Sequence, residues 1–135
     1  MELPTELKSI EGAQQLQQWF GYWPSFHDAE VLALHLNRSA PSTLAVHTWE
    51  TTNQVDEKGY FVMERHVVVE FALKEVSELN VSGFNHQNVI SSLTIDKLPE
   101  GFRLTLIDCY GLAGTIEASE LSIRLIPGKP SDAHF

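Results

Sequence analysis

Six histidines and one cysteine are the residues of this chain that could do the most chemistry. His27, His35, His47, His66 and His86 lie in the body of the sequence, and His134 lies near its end. A transition-metal site needs several ligands brought close. The sequence has no HxH, HxxxH or CxxC spacing, so neither a metal nor any other cofactor is expected. His35 and His47 could face each other across a hairpin, but a one-residue slip of register would put them on opposite faces. The plainer reading is two half-buried strand histidines. The His27-Asp28 dipeptide invites comparison with the His-Asp pair of metal-dependent phosphohydrolases. That pair sits on helices with further His and Asp ligands, whereas here it precedes a strand and the rest is missing. A turn suits these residues better, with Ser25 or Asp28 bonding local backbone amides and His27 tying the turn to a neighbouring strand.

Other routes to catalysis lack a partner as well. Cys109 follows Asp108, whose charge would raise a thiol pKa, and the chain has no nucleophile elbow of the GxSxG type. Cys109 therefore reads as a small strand residue. Glu64 and Glu70 would lie about 20 Å apart along an extended strand, too far to share acid and base roles. Gly111-Leu112-Ala113-Gly114 is a turn signal, without the lysine and following helix of a phosphate loop. A hydrolase centred on His27, Asp28 and His86 is the least supported reading, and no residue is assigned a catalytic role.

The densest feature is aromatic: Trp19, Phe20, Tyr22, Trp23 and Phe26 fall within eight positions. In a small domain such side chains usually pin a helix to a sheet. Where some are exposed beside Asp28 and Glu30, they would join apolar anchors to an acidic rim, which suits protein binding. The candidate partner-binding surface is therefore Trp23, Phe26, Asp28 and Glu30, with Glu64, His66 and Glu70 from the polar side of the longest strand. A small-ligand module, with Trp23 and Phe26 lining a pocket in a curved sheet, is the alternative.

The elements that position these residues can be read from periodicity. Ser9 can cap a helix from Ile10 to about Phe20, with Ile10, Ala13, Leu16 or Gln17, and Phe20 on one face and Gly21 as its stop. Pro24 ends that pattern, so Tyr22 to Asp28 should link helix to sheet. Period two then predicts strands at Glu30 to Asn37, Thr43 to Trp49 and Tyr60 to Leu73, with the polar stretch Thr51 to Gly59 as a loop. On the longest strand Phe61, Met63, Val67, Val69, Phe71 and Leu73 face one way. Further strands are expected at Ser77 to Val81, Val89 to Ile95, Phe102 to Cys109 and Gly114 to Ile126, with a bulge near Ala118. The fold class is α+β: an N-terminal helix on a curved, mainly antiparallel meander sheet of about seven strands. Residues 1–135 read as one domain with an ordered core from about 9 to 126 and short tails at Met1 to Lys8 and Pro127 to Phe135. An edge strand left uncovered, such as Glu30 to Asn37 or the C-terminal run, could pair with a second copy, although nothing in the sequence indicates an oligomer.

Composition bounds the function. The 135 residues are 43% hydrophobic and 20% charged, which fits a folded globular chain. No apolar run approaches the length of a bilayer span. The lone cysteine and the absence of a basic start with an apolar run point to the reducing cytoplasm. Eighteen acids against nine bases give a net charge of -9, which disfavours nucleic acid and anionic membranes as partners. The acids are scattered, so solubility alone accounts for them.

Three segments carry a resemblance. They are Trp19-Phe20-Gly21-Tyr22-Trp23-Pro24-Ser25-Phe26-His27-Asp28-Ala29-Glu30-Val31, then Gly83-Phe84-Asn85-His86-Gln87-Asn88-Val89-Ile90, then Cys109-Tyr110-Gly111-Leu112-Ala113-Gly114. In order and spacing they resemble the immunity protein 50 family of bacterial polymorphic toxin systems. The resemblance implies a cytosolic antidote that binds a cognate toxin protein and blocks it by stoichiometric occupation, without catalysis. It supplies no contact residues, since the shared segments could specify the fold and not the interface. A basic toxin such as a nuclease would match the acidity of the chain.

Overall fold

From Val67 to Leu73 every second residue is a large apolar side chain. In the computed structural model Val67, Val69, Phe71 and Leu73 all lie in the main core with 0% exposure. Val68, of opposite parity, joins a small separate cluster with Ala33 and Ala45, as the pleat of a strand requires. The structure describes residues 3–130. A short 3-10 helix at Thr5–Leu7 and helix α1 (Ala13–Phe20) precede six strands. These are β1 (Glu30–His35), β2 (Ser42–Val55), β3 (Phe61–Ser82), β4 (Val89–Leu98), β5 (Gly101–Tyr110) and β6 (Ala113–Pro127). All pairings between them are antiparallel, and α1 packs its apolar face on this curved sheet, giving the expected α+β architecture.

The sheet closes into a barrel in the order β1-β2-β3-β6-β5-β4. Each half, β1 to β3 and β4 to β6, is a meander of hairpins. The halves join where β3 pairs with β6 from Val67 to Ser82, and again where β1 meets β4. Closure gives β1 and β6 a neighbour on both sides, so neither presents the free edge considered above. Six strands replace the seven expected because Ser77 to Val81 is the far end of β3. That strand stays continuous over 22 residues by bending where Arg65 (φ 56°) and Glu75 (φ 55°) adopt left-handed backbone. The irregularity expected near Ala118 lies opposite it: Val76 pairs with Ala118 and Glu78 with Glu117, so the extra residue is Ser77 of β3.

Two further expectations are corrected. The helix starts at Ala13, not Ile10, and has no side-chain cap. Glu11 is instead drawn to β6, its carbonyl accepting the Ile123 amide at 2.7 Å. Gly12 then turns the chain at φ 90°, where a Cβ would lie 1.8 Å from the Ile123 oxygen, so glycine is the only residue that fits. Thr51 to Val55 is strand and not loop; the turn is confined to Asp56 to Gly59, where Asp56 Oδ1 accepts the amides of Lys58 and Tyr60 at 2.9 and 3.0 Å. In β1 a bulge between Val31 and Ala33 resets the alternation. Val31 and Leu34 therefore reach the main core, Leu32 and Ala33 pack outside it, and Leu36 is exposed. Of the segments read as tails, Leu3 and Leu7 are buried in the core, while 1–2 and 131–135, including His134, lie outside the described residues.

Candidate functional site

The linker from Tyr22 to Asp28 is where the barrel is sealed. The β1–β4 ladder has a single pair, Glu30 with Val89, and the rest of the seam is built by the linker and its neighbours. Asp28 N donates to Ile90 O (2.9 Å), Ile90 N to Ala29 O (3.0 Å) and Val31 N to Asn88 O (2.8 Å). Phe26 and Asp28 both sit at positive φ, 64° and 65°. For Phe26 this conformation costs about 1–3 kcal/mol. It drives the ring inward, 1% exposed and 5.9 Å from the Phe71 centroid, where burial offsets that cost. His27 N donates to Ser25 Oγ at 3.3 Å and the His27 ring meets the Ser91 carbonyl of β4 at 3.3 Å, the structural role expected of this turn.

Asn88 ties in the third segment. Its Oδ1 accepts the amides of Asn85 and Leu112, each at 3.0 Å, and its Nδ2 donates to Asn85 O at 2.6 Å. Gly111 (φ 95°) lets the chain pass this close, since a Cβ there would stand 2.6 Å from Asn88 Oδ1. Parts of all three segments, residues 25–31, 85–90 and 111–112, thus meet at one place, and their contacts there hold the barrel shut.

On the outer face of the sheet, β1, β2 and β3 bring together a cluster that sequence reading did not find. Register places Glu30 opposite His47 and His35 opposite Thr43, so the two histidines do not face each other. His47 is buried; its Nδ1 bonds Glu30 Oε1 at 2.8 Å and its Nε2 bonds His66 Nδ1 at 3.0 Å. The two imidazoles stack with centroids 5.2 Å apart, and Trp49 leans on both at 4.9 and 6.0 Å. The carboxylate can only accept, so it takes the His47 Nδ1–H, and the contact between the two rings holds a single proton between Nε2 of His47 and Nδ1 of His66. The His66 pKa lies below the ordinary histidine value, first through burial, then through repulsion from His47 and Lys129. A carboxylate, imidazole, imidazole chain can orient a base. Among the described residues, however, no hydroxyl or thiol bonds either ring, and no group of three or more His, Cys, Asp or Glu could hold a metal ion. The cluster is a rigid aromatic platform with an acid at one end.

Beyond this platform β2 and β3 run on as a hairpin. Its base is clamped to the C-terminus of α1: Trp19 Nε1 donates to Arg65 O at 2.9 Å. Arg65 Nη1 in turn donates to the carbonyls of Trp19 and Phe20 at 3.2 and 3.3 Å. A guanidinium here satisfies open carbonyls at the negative end of the helix. Arg65 also pairs with Glu50 at 3.4 Å. The Tyr22 hydroxyl is raised in pKa by burial and by that same Glu50.

The residues of the expected partner surface fall in separate places. Glu30 and His66 meet through His47, and Glu64 is exposed nearby on the hairpin, opposite Glu50. Glu70 is half-buried and held by Arg124 at 2.9 Å, farther along β3. Asp28 is exposed at the seam beside His27, 3.6 Å away. Trp23 is partly buried against the core and lines a cleft of about 390 Å³ with Pro4, Leu7 and Leu93. Phe26 is removed from the surface altogether, because its buried ring is a core residue. The role of His47 and Trp49 was missed because it depends on the strand registers; alternation alone put His47 in a strand and offered His35 as its partner, where the register supplies Glu30 and His66.

The barrel interior itself is filled. Leu44, Val46, Val67, Val69, Phe71, Leu73, Leu104 and Ile116 all have 0% exposure, which leaves no water-sized space beside them. A shallow cleft of about 370 Å³ lies outside the seam, between Glu30, Phe84, His86 and Tyr110. Cys109 is exposed and free.

No curated protein and no solved structure matches the chain. The family model described as Immunity protein 50 matches residues 12–127, a span that contains α1, all six strands and the three segments that seal the barrel. The chain belongs to the immunity protein 50 family.

Proposed function

We propose that this protein is an antidote of a bacterial polymorphic toxin system, acting in the cytoplasm by binding its cognate toxin and occupying it in a stoichiometric complex. Family membership over residues 12–127 carries this reading. Two physical features support it. Side chains fill the barrel interior, which counts against a ligand pocket in the curved sheet, and the outer face of β2 and β3 offers a preorganised aromatic platform edged by acids. The net charge of -9 favours a basic toxin, whose approach an acidic surface would accelerate. Co-expression with a toxin-bearing polypeptide identified from the gene beside this chain tests the reading. Protection of the cells and co-purification of the two chains are expected, and a folded protein that neither protects nor co-purifies would overturn it.

A further inference from the structure

Among the described residues, the hairpin beyond the His47 platform has no third strand. β1 pairs with β2 only as far as His47, and β6 pairs with β3 only from Val67 onward. Among the described residues, His66 O still accepts the Gly128 amide at 2.8 Å, but Trp49 to Val55 and Phe61 to Arg65 pair with each other alone, as a two-stranded ribbon that extends past the barrel. Such a ribbon is marginal in water unless something packs on it. Its composition is at odds with a solvated projection: Val55, Tyr60, Phe61 and Met63 are 50–70% exposed within nine positions. Scattered exposed apolar residues are ordinary, but a cluster on one projecting element marks a contact surface.

The cluster has a defined face. Cross-strand partners share a face, and Val55 lies opposite Phe61 while Thr51 lies opposite Met63. Alternation back along β2 through Thr51 and Trp49 places this apolar face in line with His47, so it continues the aromatic platform outward. Charge is distributed around it unequally. Residues 50 to 65 contain the acids Glu50, Asp56, Glu57 and Glu64 against Lys58 and Arg65, and Arg65 is engaged by Glu50 and the helix carbonyls. The Arg65 clamp holds the ribbon base, so part of the ordering cost of binding is met before a partner arrives.

We propose that this ribbon face, Val55, Phe61 and Met63 with Tyr60 at the tip, is the toxin-docking surface, and that its occupant is a basic protein face with an apolar recess flanked by lysines or arginines. The proposal rests on the antidote reading above and adds the location and chemistry of the interface. A second copy of this chain, seated apolar face to apolar face, is the competing occupant; it would bring the surrounding acids of both copies together, which disfavours it.

The test measures affinity for a toxin domain identified from the gene beside this chain, using the full-length wild type, the Phe61→Ser/Met63→Ser double variant, Tyr60→Ser, and Ile107→Ser as a control at an exposed position of β5. The double variant should bind at least about 30-fold more weakly, the effect of losing a hot spot, with the barrel's unfolding midpoint and the control's affinity unchanged. Tyr60→Ser lies outside the strand ladder and cannot unpair it, so weaker binding by this variant excludes ribbon unfolding as the cause. Glu57→Lys should slow association and reduce its dependence on salt. No binding by the wild type overturns the antidote reading and this surface with it. Full affinity in the double variant overturns the surface alone, and faster association of Glu57→Lys overturns a basic occupant. Sedimentation showing a wild-type dimer that the double variant dissociates, with toxin affinity intact, would assign the face to a second copy.

Discussion

Replacing Asn88 with alanine asks whether the three segments that carry the family resemblance hold the fold or touch the partner. Asn88 is buried and its amide makes three hydrogen bonds, to Asn85 N, Asn85 O and Leu112 N. Asn85 is exposed, so water can recover its two groups, at a loss of about 0.5–1 kcal/mol each. Leu112 is 1% exposed, and its amide would be left without a partner, at about 1–3 kcal/mol. The sum is about 2–5 kcal/mol. With a urea slope of about 2 kcal/mol per molar, the unfolding midpoint should fall by about 1–2.5 M. Gly111→Ala attacks the same contact from the other side, through the close approach to Asn88 Oδ1, so the double variant should lose less than the sum of the two. Chemical denaturation followed by tryptophan fluorescence measures all three. A shift below about 0.5 M, or additive losses, would refute the assignment of this seam as the barrel's closure. Loss of toxin binding with an unchanged midpoint would show that Asn88 belongs to an interface instead.

Other perturbations test single contacts. Gln17 is buried in α1 with no partner for its Nε2 among the described residues, so Gln17→Met should raise stability by about 1 kcal/mol, seen as a higher urea midpoint. Gly12→Ala would drive a Cβ into the Ile123 carbonyl and break the Glu11 bond to β6; it should cost about 3 kcal/mol or more and lower the thermal midpoint accordingly. The folded-state pKa of His66 is lowered, so between that value and the unfolded value of about 6.5 the unfolded chain binds more protons. Stability should therefore fall as pH drops below about 6.5, and His66→Gln should shrink the difference between midpoints at pH 7.5 and 5.5. A difference of the opposite sign, or one unaffected by the substitution, would contradict the assigned environment.

The parts of the fold that were legible in the sequence are those governed by local patterning. The alternation of Val67, Val69, Phe71 and Leu73 named the core face of β3, and Pro24 and Gly21 bounded the helix and linker; Phe61 and Met63, expected on that same face, are exposed instead, because the left-handed Arg65 breaks the alternation between them and Val67. What escaped was set at a distance. Nothing local to Ser77 to Val81 shows that it continues β3, because the left-handed bend at Glu75 is supported by pairing with β6. The helix start moved because Glu11 bonds Ile123, more than a hundred residues away. The same holds for the site. Glu30 and His66 could be nominated as polar strand residues, but their junction through His47 depends on the β1–β2 and β2–β3 registers. Phe26 looked like a surface anchor in an aromatic-rich linker until a positive φ turned it inward. The resemblance found in three separate segments acquires a physical meaning from the fold: those segments are neighbours at the one seam where the strand ladder is too short to close the barrel alone.

Antidote by occupation, without turnover, is the central claim, and a titration of toxin activity tests it most directly. A toxin domain identified from the gene beside this chain is held at a concentration well above its dissociation constant while the protein is added in steps. The account predicts that residual activity falls linearly and reaches zero at one equivalent, with no further change on standing. Inhibition that completes below one equivalent and deepens with time would mean catalysis, and a toxin fully active in excess folded protein would contradict the account altogether.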